Sequence, residues 1–117
     1  MSRRVLIVDD NPGFRRLARR LLEDDGFEVV GAVGDASQAL LATGELAPEV
    51  ILLDVNLPDA SGFALAARIA RERPGVAVLL TSTHSHQDFD ELAVSSGALG
   101  FLPKDDLSGA EVERLLR

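Results

Sequence analysis

Two observations predict an α/β fold built on a doubly wound, five-stranded parallel sheet. Short apolar runs alternate strictly with helix-period segments along the 117 residues. Strict alternation implies right-handed crossovers that place helices on both faces of one sheet. The apolar runs are continuous rather than every second residue, as in strands covered on both sides.

Val5–Val8 is the first such run. Asn11-Pro12 then reads as an N-cap with proline at the first helical position. Phe14, Leu17, Ala18, Leu21 and Leu22 follow at helical spacing as one apolar stripe, and Gly26 closes the helix. Phe27–Val33 is the second strand. Asp35-Ala-Ser-Gln38 has the spacing of a capping box and opens a helix ending near Gly44. Val50–Leu53 is the third strand, followed by a helix from about Ser61 to Arg73 that stops at Pro74-Gly75. Val76–Leu80 is the fourth strand, with a helix near Gln87–Ser96 stopped by Gly97. Leu99–Leu102 is the fifth strand. Ser108-Gly-Ala-Glu111 forms a second capping box, with Leu107 and Val112 spaced as its hydrophobic staple. Five strands in such a sheet fit the flavodoxin-like order 2-1-3-4-5, in which strand 5 lies at an edge that tolerates Pro103.

A chain of this length is read as a single domain, 1–117, with no output domain. Its 46% hydrophobic and 26% charged residues are those of an ordinary globular protein. No apolar run approaches the ~20 residues of a membrane span, no basic-then-apolar stretch suggests a secretory leader, and the expected location is cytoplasmic. The absence of cysteine excludes disulfides and thiolate zinc sites. A net charge of −7 argues against direct nucleic-acid binding. Arg3, Arg4, Arg15, Arg16, Arg19 and Arg20 read as a solvated helix face, with an acidic partner as the sharper alternative. Against eleven arginines there is one lysine, Lys104.

Ligands of doubly wound sheets bind beyond the carboxyl ends of the strands, at the switch point between strands 1 and 3. Strand 1 ends in Asp9-Asp10, strand 3 in Asp54, strand 4 in Thr81-Ser82-Thr83, and strand 5 runs into Lys104. Neighbouring strands lie roughly 4.8 Å apart, so the three carboxylates should converge. At ~5 Å and an effective dielectric of ~20, each close pair repels by on the order of 3 kcal/mol. A hard divalent cation relieves that repulsion, and all-oxygen ligation with room for water favours Mg²⁺. Lys104 adds a flexible point charge suited to a phosphate oxygen, and the hydroxyls add a donor. Together these groups suit phosphoryl transfer, with Asp54 as the nucleophile that forms an acyl phosphate.

"VLIVDDNPGFRRL", "ILLDVNLPDASGF" and "GALGFLPKDDL" resemble the receiver domain of two-component response regulators over the whole chain. The acidic pair, D-x-N-x-P-x-x-x-G and the late lysine are each weak alone and jointly specific. The resemblance implies that Asp10 holds Mg²⁺ directly and Asp9 partly through water, with the Asn56 backbone carbonyl completing the shell beside Asp54, the phosphoacceptor. Lys104 would pair with the phosphoryl group. The switch hydroxyl, some 22 residues before the lysine in the family, falls on Ser82, with Thr81 as the alternative. Phe101 matches the aromatic switch residue. Thr83 departs from the family's usual small residue, and Asp105 stands where many receivers have proline. Implied partners are a sensor histidine kinase, an output domain or downstream protein, and a phosphorylation-dependent homodimer through the face of helix 4, strand 5 and helix 5. Such a domain is not an enzyme beyond catalysing its own phosphorylation and dephosphorylation.

The competing reading is a pseudo-receiver, a phosphorylation-independent interaction module, which should have lost part of the acidic cluster or the lysine. A haloacid-dehalogenase-type phosphatase needs a second aspartate where Asn56 stands. Flavin or nucleotide binding needs a glycine-rich phosphate loop where "DDNP" presents negative charge. Pro58 and Gly62 are expected to shape the loop. His84 and His86 have no third ligand and are expected to contact partners.

Overall fold

The computed structural model describes residues 2–84 and 88–117. Its strands are β1 (Arg4–Val8), β2 (Glu28–Val33), β3 (Val50–Asp54), β4 (Ala77–Ser82) and β5 (Gly100–Pro103). The helices between and after them are α1 (Pro12–Asp24), α2 (Ala36–Leu46), α3 (Gly62–Glu72), α4 (Phe89–Ser95) and α5 (Gly109–Leu116). All strand pairs are parallel, in the order β2-β1-β3-β4-β5. This is the doubly wound order expected, and Pro103 ends the edge strand. Position 87, where the fourth helix was expected to begin, and His86 lie outside the described residues.

Successive strand residues face opposite sides, so continuous apolar runs feed two cores. On one face Leu6, Val8, Ile51, Leu53, Val78, Leu80 and Phe101 pack against α2, α3 and α4 through Ala39, Leu65, Ile69 and Ala93. On the other Val5, Ile7, Val50, Leu52, Leu79 and Leu102 pack against Ala18 and Leu22 of α1 and Val112 of α5. Leu107 is buried in that second core with Val112, as a staple requires. Among the described residues, no helix is long and apolar enough to cross a membrane.

Several boundaries shift for identifiable reasons. Gly26 (φ 91°) donates to the Glu23 carbonyl while Phe27 donates to that of Leu22, which closes α1. Phe27 thereby spends its N–H, and β2 starts one residue later, at Glu28. Helix α2 passes through the exposed Gly44 to Leu46 and is capped by Ala47 in the left-handed region (φ 48°) just before Pro48. Strand β4 runs to Ser82, beyond the expected Leu80, because Thr81 pairs with Asp54 and Leu102.

The capping boxes are realised in part. Asp35 accepts from the Gln38 amide at 2.8 Å, but the Gln38 side chain reaches back to the amide of Gly34, one residue before the cap. Ser108 accepts from the Glu111 amide at 3.1 Å, while the Glu111 carboxylate turns to Arg114. In both boxes the cap residue plays its part and the return contact goes elsewhere.

Candidate functional site

Asp9 and Asp54 leave adjacent strands at the point where each chain turns, and both are buried. Each carboxylate is shared in the same way. One oxygen accepts from the amide two residues on: Asp9 Oδ1 from Asn11 at 2.9 Å, Asp54 Oδ1 from Asn56 at 3.1 Å. Such turns are what short acidic side chains favour at loop starts. The other oxygen of each faces Lys104, whose Nζ lies 2.6 Å from Asp9 Oδ2 and 3.2 Å from Asp54 Oδ2. Only the Asp54 contact is an aligned hydrogen bond, so Asp9 Oδ2 remains buried without an aligned donor. Arg15 Nη1 fixes the Asp9 backbone carbonyl at 2.6 Å.

Asp10 is exposed beside them, and ligand oxygens of Asp9, Asp10 and Asp54 lie within 4.8 Å of one another. One ammonium against three carboxylates leaves an excess of negative charge. Burial raises the Asp54 pKa, aided by the charge of Asp9 and opposed by the Asn56 amide and Lys104. Burial works to lower the Lys104 pKa, but its pairing with Asp9 and the charge of Asp54 prevail and raise it. An all-oxygen cluster with two buried carboxylates and surplus negative charge fits a hard divalent cation such as Mg²⁺.

The loop after β3 is held tightly. The Gly62 amide donates to the Val55 carbonyl at 2.8 Å, and Asn56 bridges to Ser61 in antiparallel fashion. A Cβ at Gly62 would collide with the Asp54 carbonyl oxygen and lie 2.6 Å from Val55 Cα. Glycine is thus required for the backbone to approach this closely. Asp59, in the same loop, accepts from the amides of Ala36 (2.8 Å) and Ser37 (3.1 Å) and from the Ser37 hydroxyl. Together with Asp35 it satisfies three first-turn donors of α2, and the Ala36 amide above all holds its pKa low.

Thr81 and Ser82 are both buried at the end of β4. Leu80 and Phe101 share one core while Leu79 and Leu102 share the other, so alternation puts Ser82 on the Phe101 face and Thr81 on the opposite one. Ser82 Oγ accepts from the His84 amide at 3.1 Å. The Phe101 ring is buried, in edge contact with Phe89 at 5.0 Å, and Phe89 with Phe63 at 5.8 Å. Thr83 and His84 are exposed.

Sequence reasoning thus brought Asp9, Asp10, Asp54 and Lys104 to one place, and the fold brings them there. It missed two residues. Asp59 acts across 23 residues of chain, a contact no local pattern signals. Phe14 was read only as part of a helical apolar stripe, yet its ring centroid lies 4.5 Å from Lys104 Nζ.

A family model described as "Response regulator receiver domain" matches residues 5–113. Response regulator GacA from Pseudomonas protegens is 34% identical over 102 residues, covering 86% of this chain and 48% of that protein. Transcriptional regulatory protein PdtaR from Mycobacterium tuberculosis is 34% identical over 104 residues, covering 89% and 50%. The chain therefore spans about half the length of these curated relatives. Among solved structures, the signal receiver domain of NarL from Mycobacterium tuberculosis superposes with a TM-score of 0.87 at 32% identity, covering 98% of this chain and 97% of that one.

Proposed function

The chain belongs to the response regulator receiver domain family, and from that premise we propose that it is a phosphorylation-controlled switch whose phosphoacceptor is Asp54. The observation that carries this is the meeting of Asp9, Asp10 and Asp54 within 4.8 Å, with the Lys104 ammonium on the Asp54 carboxylate. A carboxylate oxygen of Asp54 attacks the phosphorus of a phosphohistidine on a sensor histidine kinase. A P–O bond forms, the P–N bond breaks, and the imidazole departs with the electron pair. Water later attacks the same phosphorus, releasing inorganic phosphate and restoring the carboxylate.

Mg²⁺ held by Asp9, Asp10, Asp54 and the Asn56 backbone carbonyl would supply charge neutralisation to the phosphoryl oxygens. Lys104 adds a second positive charge there, and its short tether to both carboxylates keeps it poised. Ser82 is the switch hydroxyl favoured here, because it shares a strand face with Phe101 while Thr81 does not. Drawing Ser82 toward the phosphoryl group would repack Phe101 against Phe89 and so bias the surface of α4, β5 and α5. Exposed Leu92, Val94 and Leu99 on that side suit a partner or a second copy as readout. The chemistry of the chain itself is confined to gaining and losing this phosphoryl group.

The test is intact mass after incubation with Mg²⁺ and acetyl phosphate, beside an Asp54→Ala control. One phosphoryl adduct that needs Mg²⁺ and is absent from the control is expected. No adduct, together with failure to bind a Mg²⁺–beryllofluoride complex, would overturn the proposal in favour of a pseudo-receiver.

A further inference from the structure

We infer that Phe14 is a positioning residue for Lys104, holding the ammonium by its ring face when the carboxylates around it are otherwise engaged. The inference rests on the proposed function. Lys104 Nζ lies 2.6 Å from Asp9 Oδ2, 3.2 Å from Asp54 Oδ2 and 4.5 Å from the centroid of the Phe14 ring. In the proposed reaction both carboxylates are claimed, Asp9 by the cation and Asp54 by the cation and the incoming phosphorus. The ring is a contact that neither the cation nor the phosphorus would claim, and the negative face of an aromatic ring attracts an ammonium without competing for metal or phosphate.

The ring's own place is fixed from the same site. Asn11 Oδ1 accepts from the Phe14 amide at 3.1 Å and from that of Gly13 at 2.9 Å, while the Asn11 amide donates to Asp9 Oδ1. Phe14 is half-buried against the second core, and the Lys104 side chain is only 9% exposed. A flexible four-carbon stem would otherwise let the ammonium move into solvent once its carboxylate partners were taken. The ring removes that freedom, so Lys104 waits where the phosphoryl oxygens arrive.

Site-specific replacement of Phe14 by mono-, di- and trifluorinated phenylalanine drains the ring's negative face stepwise at nearly constant shape. Two quantities are read: the rate of adduct formation from acetyl phosphate at saturating Mg²⁺, and the ring-current shift of the Lys104 ε-methylene protons with and without Mg²⁺–beryllofluoride. The rate should fall stepwise, by about threefold to tenfold across the series. The upfield shift should persist in the loaded protein and vanish in Phe14→Leu. A rate that is flat across the series, or a shift lost on loading, would overturn the inference while leaving the phosphoacceptor reading intact. If the unsubstituted protein forms no adduct and binds no beryllofluoride, that reading falls and takes this one with it.

Discussion

The Lys104 ammonium lies 3.2 Å from Asp54 Oδ2 across 50 residues of sequence, and it touches Asp9 more closely still. One cation thus ties the ends of β1, β3 and β5 together. The tie leaves the cluster short of positive charge, with one ammonium set against three carboxylates.

Asp54→Asn should be more stable than the native protein at neutral pH, with a melting temperature a few degrees higher. Burial, the largest cause, holds the Asp54 pKa above the ordinary 3.8. A carboxyl raised on folding contributes stability that is complete below 3.8 and lost as pH rises through the folded-state value. The asparagine advantage should therefore shrink as pH is lowered through that window. Thermal melts of both proteins from neutral pH down to acid check it; an advantage that grows toward acid would contradict the assignment.

Gly62→Ala should lose about 3 kcal/mol of stability, since the new methyl meets backbone that cannot yield. Urea unfolding reads the loss. Mg²⁺ binding should weaken in the same variant, because the Asp54 carbonyl and the loop of Asn56 must move to admit the methyl.

Ser82→Ala and Thr81→Ala should separate cleanly. The Phe101 ring resonances should respond to Mg²⁺–beryllofluoride in Thr81→Ala and stay unmoved in Ser82→Ala, as the two faces of β4 require. The reverse pattern would make Thr81 the switch hydroxyl.

Ala47→Gly should stabilise the protein by about 1 kcal/mol, because Ala47 ends α2 at φ 48°, where a Cβ is strained and glycine is not. The urea midpoint should rise without change in the site.

The strands were legible because each is built on a short apolar run, and the site was legible because the ends of β1, β3, β4 and β5 carry its chemistry. Asp9, Asp10, Asp54 and Lys104 needed only the strand order to be placed together. The misjudged boundaries lie where hydrogen bonding overrides composition. Phe27 looks like strand but donates back to Leu22, and Gly44 looks like a stop but leaves α2 two more residues to run. Neither Asp59 capping α2 nor Phe14 facing Lys104 could be read in advance. Both depend on tertiary proximity between residues whose local patterns already have sufficient explanations as turn and stripe.

The most direct measurement is to locate the phosphoryl group. Protein incubated with Mg²⁺ and acetyl phosphate is reduced with borohydride, which converts an aspartyl phosphate to homoserine, and its peptides are mapped by mass. Homoserine is expected at position 54 alone, and none when Mg²⁺ is withheld. Homoserine at position 9 or 10, or formation at 54 regardless of Mg²⁺, would contradict Asp54 as the Mg²⁺-dependent phosphoacceptor.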